Sequence, residues 1–159
     1  MTGRLNKKTI IVTGAGSGLG RASAIKLAEE DAQVFCVDVN PETVKETSDI
    51  ITSRGGAASH YQADMCSETE IIAMVTEAEK TYNGIDGLLA NAGIAGTGAA
   101  HETSLEDWDR LIKVSLTGKW LCAKHVIPHF IAKKSGNIVF QSSICALNGF
   151  PKLVAYTAA

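Results

Sequence analysis

No stretch of the sequence is apolar for more than a few residues, so no helix here is expected to span a bilayer. Residues 1–9 lack the apolar run of a signal peptide. A surplus of either charge is also missing: 15 basic and 17 acidic side chains leave a net charge of −2. That balance gives no electrostatic reason to expect a nucleic acid or an anionic membrane as partner. There is no C-x-x-C among Cys36, Cys66, Cys122 and Cys145, and the wide spacing with no leader points to reduced thiols in a cytoplasmic protein. Linkers, internal repeats and low-complexity segments are absent too. At 159 residues the expectation is one domain spanning 1–159.

What is present alternates between two periods. "KTIIVTG" is a short β-branched run ending in glycine, and "QVFCVDV", "AASHYQAD", "IDGLLAN" and "GNIVFQSS" read as four further strands. Between the first two lies "LGRASAIKLAEED", where Leu19, Ala22, Ile25 or Lys26, and Ala28 recur at helical spacing. Asn40-Pro41-Glu42 supplies a cap with proline in the first helical position. Ser67-x-x-Glu70 and Thr103-x-x-Glu106 read as capping boxes, the second opening a long helix that reaches about Lys133. Five strands separated by helices predict an α/β, Rossmann-like, doubly wound parallel sheet in the order 3-2-1-4-5.

Chemistry gathers where strands end. "TGAGSGLG" (Thr13 to Gly20) joins the first strand to the first helix. Gly14 permits a tight turn, Gly18 lets the backbone approach a pyrophosphate at a helix N-terminus, and Gly20 allows close packing of helix on sheet. Asp38, 24 residues beyond Gly14, ends the second strand. A carboxylate there accepts both hydroxyls of an adenosine ribose and repels a 2′-phosphate, so NAD is favoured over NADP. The glycine- and alanine-rich loop "NAGIAGTGAAHE" follows the fourth strand, at the edge where open α/β sheets bind ligands.

The spacing Gly14-x-x-x-Gly18-x-Gly20 resembles the short-chain dehydrogenase/reductase family. Asp64 ending the third strand, Asn91-Ala92-Gly93 ending the fourth, Ser142-Ser143 ending the fifth, and Tyr156 thirteen residues after Ser143 agree in order and place. The resemblance implies NAD-dependent, reversible hydride transfer between nicotinamide and a small alcohol or carbonyl substrate. It assigns the pyrophosphate and its ribose to Gly14, Ser17, Gly18, Leu19 and Gly20, and the adenine ribose to Asp38. Asp64 and Met65 would meet the adenine, and Asn91, Ala92 and Gly93 would line the central crevice. Tyr156 would be the general acid or base and also touch the cofactor, and Ser143 would hold the substrate oxygen. Ser115 stands where the family has an asparagine that steadies a proton-relaying water. Assembly as a homotetramer through the fourth and fifth helices is likewise implied by the resemblance alone.

A phenol with an ordinary pKa near ~10 is a poor base at neutral pH, and the family supplies a lysine four residues after the tyrosine. That position lies just past Ala159. The expectation is therefore a fragment, lacking its C-terminal strands, whose next residue is lysine. No other group near Tyr156 would serve, so these residues alone are expected to be inactive. A nucleotide-binding sensor of the same fold is the alternative function. His125-x-x-x-His129 has zinc-like spacing, but no third ligand accompanies it and Pro128 is expected to disturb the helix, so no metal is expected.

Overall fold

The computed structural model describes residues 3–159. Strands β1 (Thr9–Thr13), β2 (Gln33–Asp38), β3 (Ala57–Gln62), β4 (Gly87–Ala90) and β5 (Asn137–Phe140) form one parallel sheet in the order β3-β2-β1-β4-β5. This is the expected Rossmann-like arrangement. Ile11 pairs with Phe35 on one side and Leu88 on the other, placing three large apolar residues side by side. Helices α1 (Gly18–Glu29), α2 (Pro41–Ser53), α3 (Glu68–Tyr82), α4 (Leu105–Ile112), α5 (Gly118–Lys133) and α6 (Val154–Ala158) complete the fold.

The two-residue period of a strand sorts β1 and β2 into two cores. Ile11, Phe35 and Val37 join a cluster with Ile71 and Met74 of α3 and Val126 of α5. Val12, Val34 and Cys36 join the other, with Ala24 and Ala28 of α1 and Val44 and Ile51 of α2. Because both faces are covered, the central residues of these strands are apolar on both sides, which is why the sequence shows no alternation in them.

Three local features differ from or add to the expectations. Helix α1 buries Gly20, Ala24 and Ala28, whereas Leu19 and Ala22 are exposed. The small residues face the sheet because the helix lies close to it, and size rather than hydrophobicity chose the face. The fourth helix is capped by Ser104, whose Oγ accepts from Asp107 N–H at 3.0 Å, one residue later than the expected box at Thr103. The long helix does reach Lys133 and runs through Pro128, but it is not uniform: residues Lys113–Thr117 form a π-helical turn between α4 and α5. A π turn inserts one residue into the helical register and rotates the side chains beyond it.

The other caps stand as read. Asn40 Oδ1 accepts from the N–H groups of Glu42 and Thr43, with Pro41 in the first helical position. Ser67 Oγ accepts from Glu70 N–H, while the Glu70 carboxylate turns to Asp64 N–H at 2.9 Å instead of closing the box on Ser67. β5 is an edge of the sheet, and its Val139 and Phe140 are 57% and 52% exposed. Among the described residues, no helix is long and apolar enough to cross a membrane.

Candidate active site

In this sheet order β1 lies between β2 and β4, so the chain leaves β1 in one direction and later returns on its other side. Loops therefore splay apart above the carboxyl ends of these two strands and open a crevice. Its larger part has a volume of about 440 Å³ and runs from the glycine turn past Asn91 to Ser143 and Tyr156. A smaller part of about 240 Å³ continues over Asp38, Asp64, Met65 and Arg110. Gly14, Asp38, Ala92 and Gly93 border both.

The glycine turn is shaped by backbone constraints. Gly14 has φ +67°, and a Cβ there would press on Ala92 and the Asn91 amide. A Cβ on Gly20 would overlap the Gly14 carbonyl, so only glycine lets α1 begin this close to β1. Ser17 is the N-cap residue of α1, yet its side chain caps nothing and faces the crevice with Gly18 and Leu19. The first N–H groups of α1 thus open toward the crevice, where a helix N-terminus favours negative charge.

Asp38 is held in place by two amides. Gly16 N–H donates to Oδ2 at 2.9 Å and Asn40 N–H to Oδ1 at 3.1 Å. Arg21, the basic residue that follows the glycine turn, forms no ion pair with Asp38. Its guanidinium donates to the Gly16 carbonyl at 2.6 Å and to Glu46 at 2.7 Å. Asp38 makes no ion pair among the described residues, and lines the crevice as a carboxylate with no cation of its own.

Asn91 joins the ends of β4 and β1. Its Nδ2 donates to the Thr13 carbonyl at 3.0 Å, while the N–H groups of Asn91 and Ala92 both donate to Thr13 Oγ1 at 3.1 Å. Thr13 is almost completely buried, so these bonds form away from water and fix the crevice wall. On the smaller side, Asp64 Oδ1 accepts from Cys66 N–H at 2.8 Å. Met65 is 6% exposed and packs beneath Gly118 and against Cys122.

At the far end, Ser115 sits at the centre of the π turn. Its Oγ accepts from Ile94 N–H at 3.2 Å and donates to Ile94 O at 3.4 Å, closing a bracket between the long helix and the loop after β4. Ser143 Oγ accepts from Cys145 N–H at 3.2 Å and so caps the short 3-10 turn at Ile144–Ala146, while also lining the crevice. Tyr156, on the five-residue α6, faces the same space. Every residue assigned a catalytic or cofactor role from the sequence therefore borders one of the two connected parts of this crevice.

Two contributors were missed. Gly16 was passed over between the spaced glycines, although its N–H aims Asp38 and a Cβ there would press on that carboxylate. Lys119 also lines the crevice, one helical turn beyond Ser115, and its Nζ donates to the Gln141 carbonyl at 2.6 Å. The i, i+4 step from Ser115 was the available signal. His125 and His129 instead face α3, with His125 Nε2 lying 2.9 Å from Glu68 and His129 Nδ1 3.1 Å from Glu79.

Comparison with known proteins agrees with this geometry. The family described as short chain dehydrogenase matches residues 8–159. The chain is 34% identical over 159 residues to 2-(S)-hydroxypropyl-CoM dehydrogenase 3 of Xanthobacter autotrophicus, covering 100% of this chain and 62% of that protein. It is 32% identical over 160 residues to cyclohexanol dehydrogenase of an Acinetobacter strain, covering 100% of this chain and 64% of that protein. Among solved structures, NAD+-bound xylitol dehydrogenase superposes with a TM-score of 0.95 at 30% identity, over 98% of this chain and 60% of that one. The chain thus spans somewhat more than three fifths of these curated relatives.

Proposed function

The chain belongs to the short-chain dehydrogenase family, and from that premise we propose that the protein transfers hydride reversibly between NAD(H) and a secondary alcohol or ketone. The observation that carries this reading is the single connected crevice that joins the glycine turn and Asp38 to Ser143 and Tyr156. Relatives named for dehydrogenation of an alcohol support the reaction class.

The residues present fit a dinucleotide. Gly14, Ser17, Gly18, Leu19 and Gly20 would take the pyrophosphate and adjoining ribose at the N-terminus of α1. Asp38 would accept the two adenosine ribose hydroxyls, and Asp64 and Met65 would border the adenine. Asn91, Ala92 and Gly93 would form the wall between. NAD is preferred to NADP because a 2′-phosphate would meet the Asp38 carboxylate, and Arg21 is already engaged by Gly16 and Glu46. The cofactor, when bound, supplies the hydride acceptor or donor.

The chain's own part is to hold and move one proton. Ser143 Oγ hydrogen-bonds the substrate oxygen and steadies the charge that develops on it. Tyr156 gives its phenolic proton to that oxygen during reduction and takes it back during oxidation. Ser115, through its bracket to Ile94, keeps the loop after β4 against the long helix. Four free thiols suit a reducing cytoplasm. Exposed Trp120, Ile127 and Ile131 on α5 support a homo-oligomeric contact along that helix, a tetramer in this reading.

The test is to mix the protein with NAD and a panel of secondary alcohols and follow NADH by its absorbance. NADH formation that disappears in Tyr156→Phe is the expected result. Tight NAD binding with no turnover on any alcohol would favour a nucleotide-binding sensor instead.

A further inference from the structure

Among the described residues, Lys119 is the only lysine that is not solvent-exposed. Lys8, Lys26, Lys45, Lys80, Lys124 and Lys133 each pair with a carboxylate; Lys119, like the exposed Lys7, Lys113, Lys134 and Lys152, pairs with none among the described residues. Its one protein acceptor is the Gln141 carbonyl, which leaves two of the three ammonium protons without a protein partner. Gln141 lies two residues before Ser143, so the ammonium is anchored beside the segment that carries the substrate-binding hydroxyl. On the other side it abuts Gly93, where an added Cβ would lie 3.9 Å from Nζ.

Among the described residues, no carboxylate pairs with this charge. Asp38 is the one acidic residue lining the larger crevice, and it stands at the end of β2 with β1 and β4 between it and β5. Three strand spacings of about 4.8 Å separate them by roughly 14 Å, beyond a Debye length at physiological salt. Ser115, Ser142 and Ser143, which line the same crevice, carry no charge. Partial burial holds the Lys119 ammonium below the ordinary lysine pKa, because desolvation is not offset by a partner. An anion entering this end of the crevice would offset it.

We infer that Lys119 determines substrate specificity: its ammonium receives a carboxylate carried by the substrate, so the site prefers hydroxy acids and their oxo-acid partners to neutral secondary alcohols. This rests on the hydride-transfer reading above. Ser143 and Tyr156 handle the oxygen that reacts, and Lys119 holds a second, charged oxygen a few bonds away. The division of labour fixes the substrate at two points, which orients the reacting carbon better than one contact does.

Calorimetric titration of the full chain, saturated with NAD, tests the inference with two probes of similar shape, 3-hydroxybutanoate and 4-methyl-2-pentanol. The unaltered protein is expected to bind the hydroxy acid at least about tenfold more tightly, the scale of one charge-assisted hydrogen bond. Lys119→Met should bring the two affinities within about threefold of each other, and Lys119→Arg should restore most of the preference. Both variants should hold NAD as the parent does and give the parent's circular dichroism. Equal affinities in the unaltered protein, or a preference that survives in Lys119→Met, would overturn the inference and leave the NAD reading standing. Failure to bind NAD at all would overturn both.

Discussion

Strands β1 and β4 hold charge in opposite ways at their two ends. At the amino end, Asp86 sits just before β4 with its side chain 10% exposed. It accepts from Lys133 Nζ at 2.7 Å, Lys8 Nζ at 3.1 Å and Thr9 N–H at 3.0 Å. Every nearby charge is answered by the protein itself. At the carboxyl end, among the described residues, the Asp38 carboxylate pairs with no cation and the Lys119 ammonium with no carboxylate. An unpaired, partly desolvated charge costs stability, and a fold tolerates it where a ligand completes it. The contrast separates the residues that hold the sheet together from those that wait for a partner.

If that separation is real, substitutions at the two ends should fail in different assays. The largest effect is expected from Tyr156→Phe, which keeps the ring and removes only the hydroxyl proposed to carry the proton. Turnover should fall by about 10²–10⁴, the range for one general acid–base group. NAD affinity and melting temperature should stay close to the parent values. A variant retaining a tenth of parental kcat would mean another group carries the proton. Ser143→Ala comes next, with a loss in kcat on the order of 10²–10³ for one donor to a developing oxyanion. Its cap on the turn at Ile144–Ala146 goes with it, so a small drop in melting temperature should accompany the kinetic loss.

Asp38→Ala should weaken NAD by roughly tenfold to a hundredfold, since a charge-assisted hydrogen bond is lost. NADP, relieved of the like charge, should weaken less or gain. The fold should not suffer, because Asp38 is bonded only to two loop amides and lies outside both apolar clusters.

The smallest effect is expected at the amino end and should appear only in stability. Asp86→Asn keeps the shape but loses the charge, and should cost roughly 1–3 kcal/mol, as for hydrogen bonds to a charged group. NAD affinity should not change. The pH dependence has a definite sign. Burial acts to raise the Asp86 pKa, and the Lys133, Thr9 and Lys8 donors outweigh it, so the folded-state pKa lies below the ordinary aspartate value. Its contribution is complete above the unfolded pKa of about 3.9 and fades as pH falls through the folded value. Urea denaturation of parent and Asp86→Asn should therefore differ at neutral pH and converge in acid. A constant gap across that range would show that the pairing is not electrostatic.

Much of this was legible in the sequence, for physical reasons that also explain what was not. The five strands and their order follow from β-branched runs punctuated by glycine and from helices between them. The glycine turn could be read because only glycine adopts positive φ cheaply, as Gly14 does at +67° and Gly18 at +51°. The buried face of α1 did not show in hydrophobicity, because closeness to the sheet selects the small residues Gly20, Ala24 and Ala28. The π turn left no mark in composition, for it arises from how the long helix fits the loop at Ile94. Lys119 escaped notice because a lysine in a helix ordinarily faces water, and its burial depends on where β5 places the Gln141 carbonyl. Motifs anchored in one segment were visible, and contacts between distant segments were not.

The central claim, that the unanswered carboxylate at the crevice awaits a dinucleotide ribose, is tested most directly by titrating the unaltered protein with NAD and with NADP in a calorimeter at the same pH and ionic strength. The account predicts saturable NAD binding, with NADP at least about tenfold weaker because its 2′-phosphate meets Asp38. Equal affinities, or tighter binding of NADP, would contradict it.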